Sequence, residues 1–414
     1  MKILTKEDIV RIKERGSSVD EDKVRPIIED VKKNKDSALI KYAEKYDRVR
    51  VSSIKVSDKE IKEAYSKVDS NVVDAINASI KNVKKYHEIQ MPKEWMEDIS
   101  EGVKAGQLVR PLDSIGCYVP GGNYPLVSTV IMTVIPARVA GVKEIVVCSP
   151  PEIDPAILVA ADMCGATEIY KAGGSQAIAA MAYGTETVKK VNKIVGPGNI
   201  YVTAAKKIVY GDCGIDFIAG PSEIMIVADE NNNPKYIAAD MLSQAEHDKF
   251  ASSILVTTSE KLVKEVNNEI EKQLDLLPTK EIAKASLENF GGAIIVKDID
   301  EAFDVVNEFA PEHLEIMIDD EKLLSKVKNA GAVFFGEYSV EAAGDYCSGP
   351  NHVLPTNQFA KVRGGLSVMD FLKMPTVQKI SKKGLLNLSK TIITLANVEG
   401  LDAHKKSVEV RDET

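Results

Sequence analysis

Short runs of β-branched and apolar residues alternate with helical segments from about residue 114 to residue 335. Because a strand reaches a parallel neighbour through a crossover, usually a helix, this alternation indicates βαβ units and parallel sheets. The predicted strands form two series: 115–119, 144–148, 169–172, 193–195 and 223–228, then 252–257, 293–296, 314–318 and 332–335. The sequence therefore predicts an α/β protein built from two sheet-containing units.

Both ends of the chain lack this alternation. Residues 1–110 are rich in Lys, Glu and Asp and carry apolar residues at helical spacing, which is typical of amphipathic helices around a core. We expect no active site there, and we expect His87, which lies beside Lys84 and Lys85, to be at the surface. The last fifty residues again predict helix, without a strand.

The composition is ordinary for a soluble globular protein and argues against several classes of partner. The 414 residues, 44% hydrophobic and 28% charged, suffice for two or three structural units. The net charge of -9 disfavours nucleic acid and anionic membranes as partners. Charges in the first ten residues disfavour a signal peptide. Because Pro136 and Arg138 interrupt the longest apolar stretch, we expect no membrane span. Five cysteines without a CxxC pair indicate reduced thiols in a cytoplasmic protein.

Three glycine-rich segments each follow a predicted strand directly. They are PGGN (120–123), AGGSQ (172–176) and VGPGN (195–199). In a parallel sheet such loops meet at the carboxyl edge, where open α/β sheets bind ligands and where glycine lets a backbone approach phosphates. Neither GxGxxG nor GxxxxGK[ST] occurs, so a standard dinucleotide fingerprint and a P-loop are excluded. A single such loop is as consistent with a tight turn as with a ligand site, and spacing alone does not name the ligand.

Four of the five histidines lie in segments dense in acids and amides. The histidines are His87, His247, His313, His352 and His404. Zinc binds imidazole and carboxylate, but no HExxH or finger spacing is present, and each histidine taken alone is more often a structural or surface residue than a ligand. In SQAEHD, ligand chemistry favours Glu246 or Asp248 over Gln244 as a partner for His247, because amides are weaker ligands.

Eight segments together resemble the histidinol dehydrogenase family in order and approximate spacing. They are RPLDSIGCYVPGG, AGGSQAIAA, VGPGNIYVTAAK, AGPSE, LSQAEHD, APEHLE, AAGDYCSGPNHVLPT and EGLDAH. The resemblance implies a zinc-assisted oxidation of L-histidinol through L-histidinal to L-histidine with two NAD+, the last step of histidine biosynthesis. It also implies two incomplete Rossmann-like parallel-sheet domains with helical N- and C-terminal extensions.

The resemblance assigns roles to particular residues. The implied zinc ligands are Gln244, His247, Asp345 and His404. The implied catalytic pair is Glu312 and His313. The implied substrate contacts are Ser222, His313 and Glu399 together with the four zinc ligands. The implied NAD contacts are Tyr118, Gln176 and Asn199, one from each glycine-loop region.

The resemblance further implies a homodimer with shared active sites, one zinc per subunit and a C-terminal segment that crosses to the partner. We expect a first α/β domain from residues 1–114 and 222–365, a second from 115–221 that carries the glycine loops, and a C-terminal helical segment over 366–414. Three residues depart from the family's pattern between the matched positions: Cys347, Pro350 and Asp402. They affect the expected loop geometry and zinc affinity more than the expected function.

The chemistry explains why these residue types are needed. A histidine of near-neutral pKa, here His313, can take the hydroxyl proton as hydride leaves carbon. A carboxylate, here Glu312, can activate the water that hydrates the aldehyde. Zinc would hold and orient the substrate's imidazole and amino nitrogens rather than generate hydroxide.

Four alternatives differ in what they leave unexplained. A related dehydrogenase could act on another polyol or amino alcohol, such as a sulfopropanediol. A zinc hydrolase would explain the histidines and Glu312 but not three glycine loops at one edge. A thiol mechanism would use Cys117 or Cys347 during aldehyde oxidation. A non-catalytic interaction protein would make the ordered set of acids, amides and imidazoles accidental.

Overall fold

The structure, a computed structural model, describes residues 1–15, 21–121, 124–218 and 220–412. The helices are α1 (Lys6–Glu14), α2 (Glu21–Tyr42), α3 (Asp58–Tyr65), α4 (Ser70–Ile89), α5 (Val127–Ala140), α6 (Pro155–Cys164), α7 (Gly174–Tyr183), α8 (Ile200–Val209), α9 (Pro234–Ala245), α10 (Glu260–Leu274), α11 (Lys280–Phe290), α12 (Ile299–Phe309), α13 (Glu341–Tyr346), α14 (Lys382–Glu399) and α15 (Asp402–Asp412). The strands are β1 (Trp95–Ser100), β2 (Val103–Gln107), β3 (Arg110–Pro111), β4 (Ser114–Tyr118), β5 (Glu144–Ser149), β6 (Glu168–Lys171), β7 (Lys193–Val195), β8 (Gly214–Ile215), β9 (Glu223–Ala228), β10 (Ser252–Thr257), β11 (Gly292–Ile295), β12 (His313–Ile316), β13 (Ala332–Phe335), β14 (Leu372–Lys373) and β15 (Thr376–Ile380). A π-helical turn (Ala43–Asp47) and short 3-10 helices (Glu321–Lys326, Phe359–Lys361, Val368–Phe371) complete the described elements.

Two parallel five-stranded sheets form the centre of the molecule. Sheet 1 has the order β6-β5-β4-β7-β8, and sheet 2 has the order β11-β10-β9-β12-β13. Every strand pair within them is parallel. The predicted fold class, two Rossmann-like parallel-sheet units with helical ends, is confirmed. The sequence prediction matches the bounds of β7, β9, β10 and β13 to the residue.

Helices cover both faces of each sheet, which is why the strands consist of almost continuous apolar residues. All residues of β4, β9 and β10 are buried. On sheet 1, α5 and α6 cover one face and α7 and α8 the other. On sheet 2, α9, α10 and α11 cover one face and α12 the other. Among the described residues, no helix combines the length and the apolar character needed to cross a bilayer.

The N-terminal helices divide between the two sheets. Leu4 and Ile12, at the two ends of the α1 region, pack into sheet 2. In contrast, α2 packs against α7 and α8, and α4 packs against α5, so both lie on sheet 1. The expected grouping of residues 1–114 with residues 222–365 therefore does not describe α2 and α4, because their apolar faces are buried against the helices of sheet 1. The other domain boundaries stay a prediction.

His87 is buried, contrary to the surface position expected from its charged neighbours. Its Nδ1 donates to Gln90 Oε1 at 2.7 Å, and its Nε2 faces Asn351 Nδ2 at 3.4 Å. Asn351 in turn donates to Met132 O at 2.6 Å. His87 therefore joins α4 to α5 and to the loop after α13, on the apolar face of an otherwise charged helix.

The C-terminal region contains strands that the sequence did not predict. β15 joins β2, which pairs with β1, to form an antiparallel three-stranded sheet, and β14 pairs with β3. We call β1, β2 and β15 together with α14 and α15 the arm. All six residues of β1 are exposed, and its apolar side chains include Trp95 (48% exposed) and Ile99 (63%). Leu395 and Val398 of α14 are also exposed, so the arm presents apolar surface that the described residues of one chain leave uncovered.

Candidate active site

Three glycine-containing loops lie at the carboxyl edge of sheet 1, after β4, β6 and β7. β4 and β7 are neighbours in the sheet although β5 and β6 lie between them in the chain, so the strand order reverses there. Such a switch point is where open α/β sheets bind ligands. Two residues of the predicted PGGN loop, Gly122 and Asn123, lie outside the described residues.

Tyr118, the last residue of β4, contacts both of the other loops. Its hydroxyl oxygen accepts a hydrogen bond from Gly174 N–H at 3.0 Å. A Cβ on Gly196 would lie 2.2 Å from Tyr118 O, so only glycine fits there. Burial raises the pKa of Tyr118 to about 12, so its hydroxyl stays protonated at neutral pH. The expected cofactor contacts Tyr118, Gln176 in the first turn of α7 and Asn199 at the N-cap of α8 thus share one edge.

The helices that follow two of these loops begin differently. α7 begins after Gly173, which has no side chain to cap the helix. No capping side chain therefore offsets the partial positive charge at the N-terminus of α7, which faces the carboxyl edge of sheet 1. α8 is capped by Asn199, whose Oδ1 accepts from the N–H groups of Tyr201 and Val202 at 3.0 and 3.1 Å. Gln176 is buried and Asn199 is exposed. A negatively charged ligand group would be favoured at the start of α7, and Asn199 keeps its amide nitrogen for a ligand.

The second group of candidate residues lies at the amino edge of sheet 2. Glu312 and His313 stand at the start of β12, and Glu223 begins the neighbouring β9. Ala310 has a left-handed backbone (φ 56) that ends α12 and turns the chain into β12. Gln244, one residue before the end of α9, reaches the same edge.

The hydrogen bonds of His313 select one of its ring nitrogens. Nδ1 lies 3.0 Å from Glu223 O and 3.3 Å from Glu341 Oε1, both of which are acceptors, so Nδ1 carries the proton. The amide nitrogen of Gln244, also 3.0 Å from Nδ1, then contacts the ring without donating to it, because the protonated Nδ1 has no free lone pair. The other ring nitrogen, Nε2, is buried, and no described residue hydrogen-bonds to it. Burial lowers the pKa of His313 to about 4, so the ring is neutral at pH 7 and Nε2 is a free base.

Glu312 is buried beside this ring. Its Oε2 accepts from Glu223 N–H at 2.9 Å and lies 3.7 Å from His313 Nδ1. Burial, reinforced by the charges of Glu223 and Asp345, raises the pKa of Glu312 well above its usual value. A carboxylate in such surroundings is a stronger base than one in water. Ser222 precedes Glu223 and is therefore adjacent to the same group.

Gln244 is fully buried against His313. Its amide lies among acceptors, so the nitrogen faces inward: Nε2 donates to Glu341 Oε1 at 3.0 Å and to Glu223 O at 3.2 Å. This orientation turns Oε1, the atom that binds metals, away from these acceptors. The two acids that ligand chemistry favoured have other partners, since Glu246 accepts from Thr279 and Asp248 from Phe250 N–H.

Three side chains stand close enough to share a metal ion. Ligand atoms of His247, Glu341 and Asp345 lie within 4.8 Å of one another, and His247 Nε2 is 3.9 Å from Asp345 Oδ2. Glu341 Oε2 is buried and has no hydrogen-bond partner in the part of the chain that the structure describes. Imidazole nitrogen and carboxylate oxygen are ligands that zinc accepts. The donors and the unpartnered oxygen therefore fit a zinc ion.

Two of the expected residues are not brought to this cluster within one chain. Glu399 ends α14 and His404 lies in α15, and both are exposed. In the described part of the chain, neither side chain hydrogen-bonds or pairs with His247, Glu312 or Asp345. Both residues belong to the arm.

The sequence analysis missed several residues of the cluster. Glu341 was not considered, although it precedes Asp345 by four residues on α13 and therefore shares its helix face. Arg15 forms a buried ion pair with Glu223 at 3.5 Å, for which the sequence carries no local signal. His352 was noted without a role; its Nδ1 donates to Asp345 O at 3.0 Å, and burial lowers its pKa.

The cysteines offer little support for a thiol mechanism. All five are unpaired, and Cys117, Cys148, Cys164 and Cys213 are buried. Burial raises the pKa of Cys117 to about 12, so it is a thiol at neutral pH rather than a nucleophilic thiolate. Cys347 is exposed after α13.

Comparison with known proteins gives a family match over almost the whole chain. The family model described as histidinol dehydrogenase matches residues 11–412. A histidinol dehydrogenase of Methanothermobacter thermautotrophicus is 52% identical over 389 residues, 93% of this chain and 91% of that protein. One from Methanocaldococcus jannaschii is 48% identical over 99% of this chain and 97% of that protein. The crystal structure of histidinol dehydrogenase from Elizabethkingia anophelis superposes with a TM-score of 0.95 at 42% identity, covering 99% of this chain and 96% of that chain.

Proposed function

The chain belongs to the histidinol dehydrogenase family, and we propose that it oxidises L-histidinol through L-histidinal to L-histidine with two NAD+. This is a four-electron oxidation, the last step of histidine biosynthesis. The observation that carries the proposal is the buried Glu312–His313 pair beside His247, Glu341 and Asp345. It supplies bases for proton transfer next to ligands for an ion that can anchor an imidazole.

In the proposed site Gln244, His247 and Asp345 of one subunit hold zinc with His404 of the partner subunit. When bound, zinc supplies a positively charged anchor for the imidazole and amino nitrogens of the substrate. The inward-facing Nε2 of Gln244 supports this assignment, since it leaves the amide oxygen free to ligate. Ser222 and Glu399 complete the proposed substrate contacts, and the carboxylate of Glu399 suits a cationic substrate.

His313 would act in the first oxidation. Because Nδ1–H is committed to Glu223 O, Nε2 is the nitrogen that takes the hydroxyl proton of histidinol. The C–H bond of the same carbon breaks as the C=O bond of the aldehyde forms. NAD, bound through Tyr118, Gln176 and Asn199 at the edge of sheet 1, supplies the hydride acceptor for both oxidations.

Glu312 would act in the second half of the reaction. It takes a proton from the water that adds to the aldehyde carbon, and the product is the hydrate in its singly ionised form. This anion then loses a hydride to NAD+ and its remaining hydroxyl proton, and the carboxylate of histidine results. The buried position of Glu312 keeps its charge unscreened by bulk water, which strengthens it as a base.

We further propose a homodimer in which the arm of each subunit reaches the other's active site. The support is the exposed apolar surface of the arm and the separation of Glu399 and His404 from the rest of the site within one chain. The unpaired cysteines are consistent with the reducing cytoplasm as the place of action.

The experiment that tests the function counts NADH formed per histidinol consumed by the zinc-loaded protein. A ratio of two supports the full oxidation, and a ratio of one would limit the enzyme to the aldehyde. If histidinol gives no NADH while a polyol such as a sulfopropanediol does, the substrate assignment is wrong although the reaction class stands. Ester or amide hydrolysis without NAD turnover would overturn the reaction class.

A further inference from the structure

A buried ion pair stands beside the VGPGN loop. Lys206 of α8 contacts Asp216, which follows β8, and their side chains are 5% and 0% exposed. Removing two charges from water costs free energy that an ion pair alone often fails to recover. The other hydrogen bonds that Lys206 and Asp216 form therefore indicate which part of the structure the pair stabilises.

These remaining bonds converge on one residue. Asp216 Oδ2 accepts from Gly196 N–H at 2.8 Å, and Lys206 Nζ donates to Gly196 O at 3.0 Å. Asp216 Oδ1 also accepts from Phe217 N–H at 2.7 Å. Both polar backbone groups of Gly196 are thus held by opposite charges, directly after β7 and three residues before Asn199.

Gly196 is the point where two cofactor loops touch. Its backbone has φ +113, a conformation that residues with a side chain rarely adopt. The close approach to Tyr118 O leaves no room for a Cβ, so a small movement of Gly196 would move Tyr118 as well. Tyr118 accepts in turn from Gly174 N–H, at the start of the helix that carries Gln176. A continuous series of contacts therefore links the ion pair to the three loops that carry the proposed NAD-binding residues.

We propose that Lys206 and Asp216 are positioning residues for NAD, which act by fixing Gly196. The inference rests on the proposed function and adds two residues that do not touch the cofactor themselves. The charge of Lys206 is buried and paired, so it does not serve as a phosphate ligand. Its effect is on the geometry of the loop, and a 1 Å displacement of such a loop is enough to cost a large factor in binding or rate.

The decisive variant is Lys206→Met with Asp216→Leu, which removes both charges and leaves neither one buried without its partner. NAD binding is measured by calorimetry on the zinc-loaded enzyme, and KM for NAD and kcat are measured with histidinol. We expect the affinity for NAD to fall about tenfold or more, with kcat at saturating NAD within about threefold of wild type. Zinc content and KM for histidinol should not change.

A second variant keeps the experiment informative if the first fails to fold. Lys206→Met with Asp216→Asn retains an acceptor for Gly196 N–H but removes the ammonium that donates to Gly196 O, so we expect an intermediate loss of NAD affinity. The matched control is Glu168→Gln, which breaks a partly exposed ion pair with Lys189 at the opposite, amino edge of sheet 1. It should leave NAD binding unchanged.

Wild-type affinity for NAD in either folded double variant would overturn the proposal, and so would equal losses of zinc, histidinol and NAD binding. These outcomes differ from a failure of the proposed function. If wild-type protein binds NAD but does not oxidise histidinol, the calorimetric comparison still decides the role of Lys206 and Asp216. If wild-type protein binds no NAD, both proposals fail.

Discussion

The protonation of single atoms decides what the catalytic pair can do. In His313, the backbone carbonyl of Glu223 holds the proton on Nδ1, and Nε2 has no hydrogen-bond partner among the described residues. In Glu312, one oxygen accepts from a backbone N–H while burial opposes ionisation. The two bases therefore have different surroundings, and this supports different tasks for them in the two oxidations.

Replacing Glu312 by Gln should separate the two oxidations. The amide retains the size of the side chain but no longer takes a proton from water. We expect oxidation of histidinol to histidinal to stay within about threefold, because His313 is intact, and oxidation of histidinal to fall about a hundredfold or more. Single-turnover NADH formation from each substrate measures this. Equal losses in both steps would contradict the division of labour.

Glu341 should control zinc binding by orienting Gln244. Glu341→Leu removes the acceptor of Gln244 Nε2, so the amide can rotate, and we expect zinc affinity to fall about tenfold or more. Glu341→Gln keeps an acceptor oxygen and should stay within about threefold of wild type. Zinc affinity is measured by competition with a chromogenic chelator. If Glu341→Gln is as damaging as Glu341→Leu, Glu341 is itself a ligand.

For single residues, the sequence predicted which kinds of side chain the site needs better than it predicted which side chains contact each other. Glu312 and His313 could be named only because the segment APEHLE resembles the family. Ligand chemistry favoured Glu246 or Asp248 over Gln244, because nothing in a sequence tells which side chain of a helix end faces inward. The contacts of Arg15 with Glu223 and of Gln244 with Glu341 span long stretches of chain, and they exist only once sheet 2 has formed.

Among the elements, buried strands were predictable and exposed ones were not. β9 and β10 are covered on both faces, so their apolar runs are unmistakable. β1 is exposed along its whole length and mixes apolar with acidic residues without a regular alternation, and β15 is short and mostly exposed. The pairing of β15 with β2 joins residues about 270 positions apart, such as Thr376 and Gln107, and local pattern gives no evidence for it.

The attachment of α4 to sheet 1 should depend on pH through His87. Burial lowers the pKa of His87 below 6.5. The neutral ring therefore stabilises the folded protein fully at pH values above the pKa of His87 in the unfolded chain, and this stabilisation is lost as pH falls toward the pKa in the folded protein. His87→Asn should therefore destabilise the protein at pH 7.5, and the gap from wild type should narrow at pH 5. Urea midpoints at the two pH values measure the gap. A gap that is equal at both would contradict this account.

In the whole molecule, the proposed active site draws on two chains. The arm carries Glu399 and His404 away from the cluster of their own subunit and exposes apolar surface that a partner can cover. The family resemblance supplied this expectation, while composition and periodicity could not. A sequence describes one chain, and a site shared between chains leaves no local pattern in it.

Mixing two inactive variants should restore activity if the site is shared. In a dimer of one His247→Asn subunit and one His404→Asn subunit, both changes fall in one site and the other site is intact. Random reassociation of equal amounts makes half of the dimers mixed, so about a quarter of wild-type activity should return. NADH formation after joint unfolding and refolding measures it, with each variant refolded alone as the control. No recovery above those controls would place both residues in the same chain's site.

The exposed arm has a consequence for how the enzyme responds to dilution. If one zinc ligand comes from the neighbouring chain, metal binding and subunit association are linked equilibria, and each strengthens the other by the same factor. Added zinc should then hold subunits together at concentrations where the metal-free protein dissociates. Conversely, strong dilution should release the metal, so the zinc content of this enzyme would report how much of it is assembled.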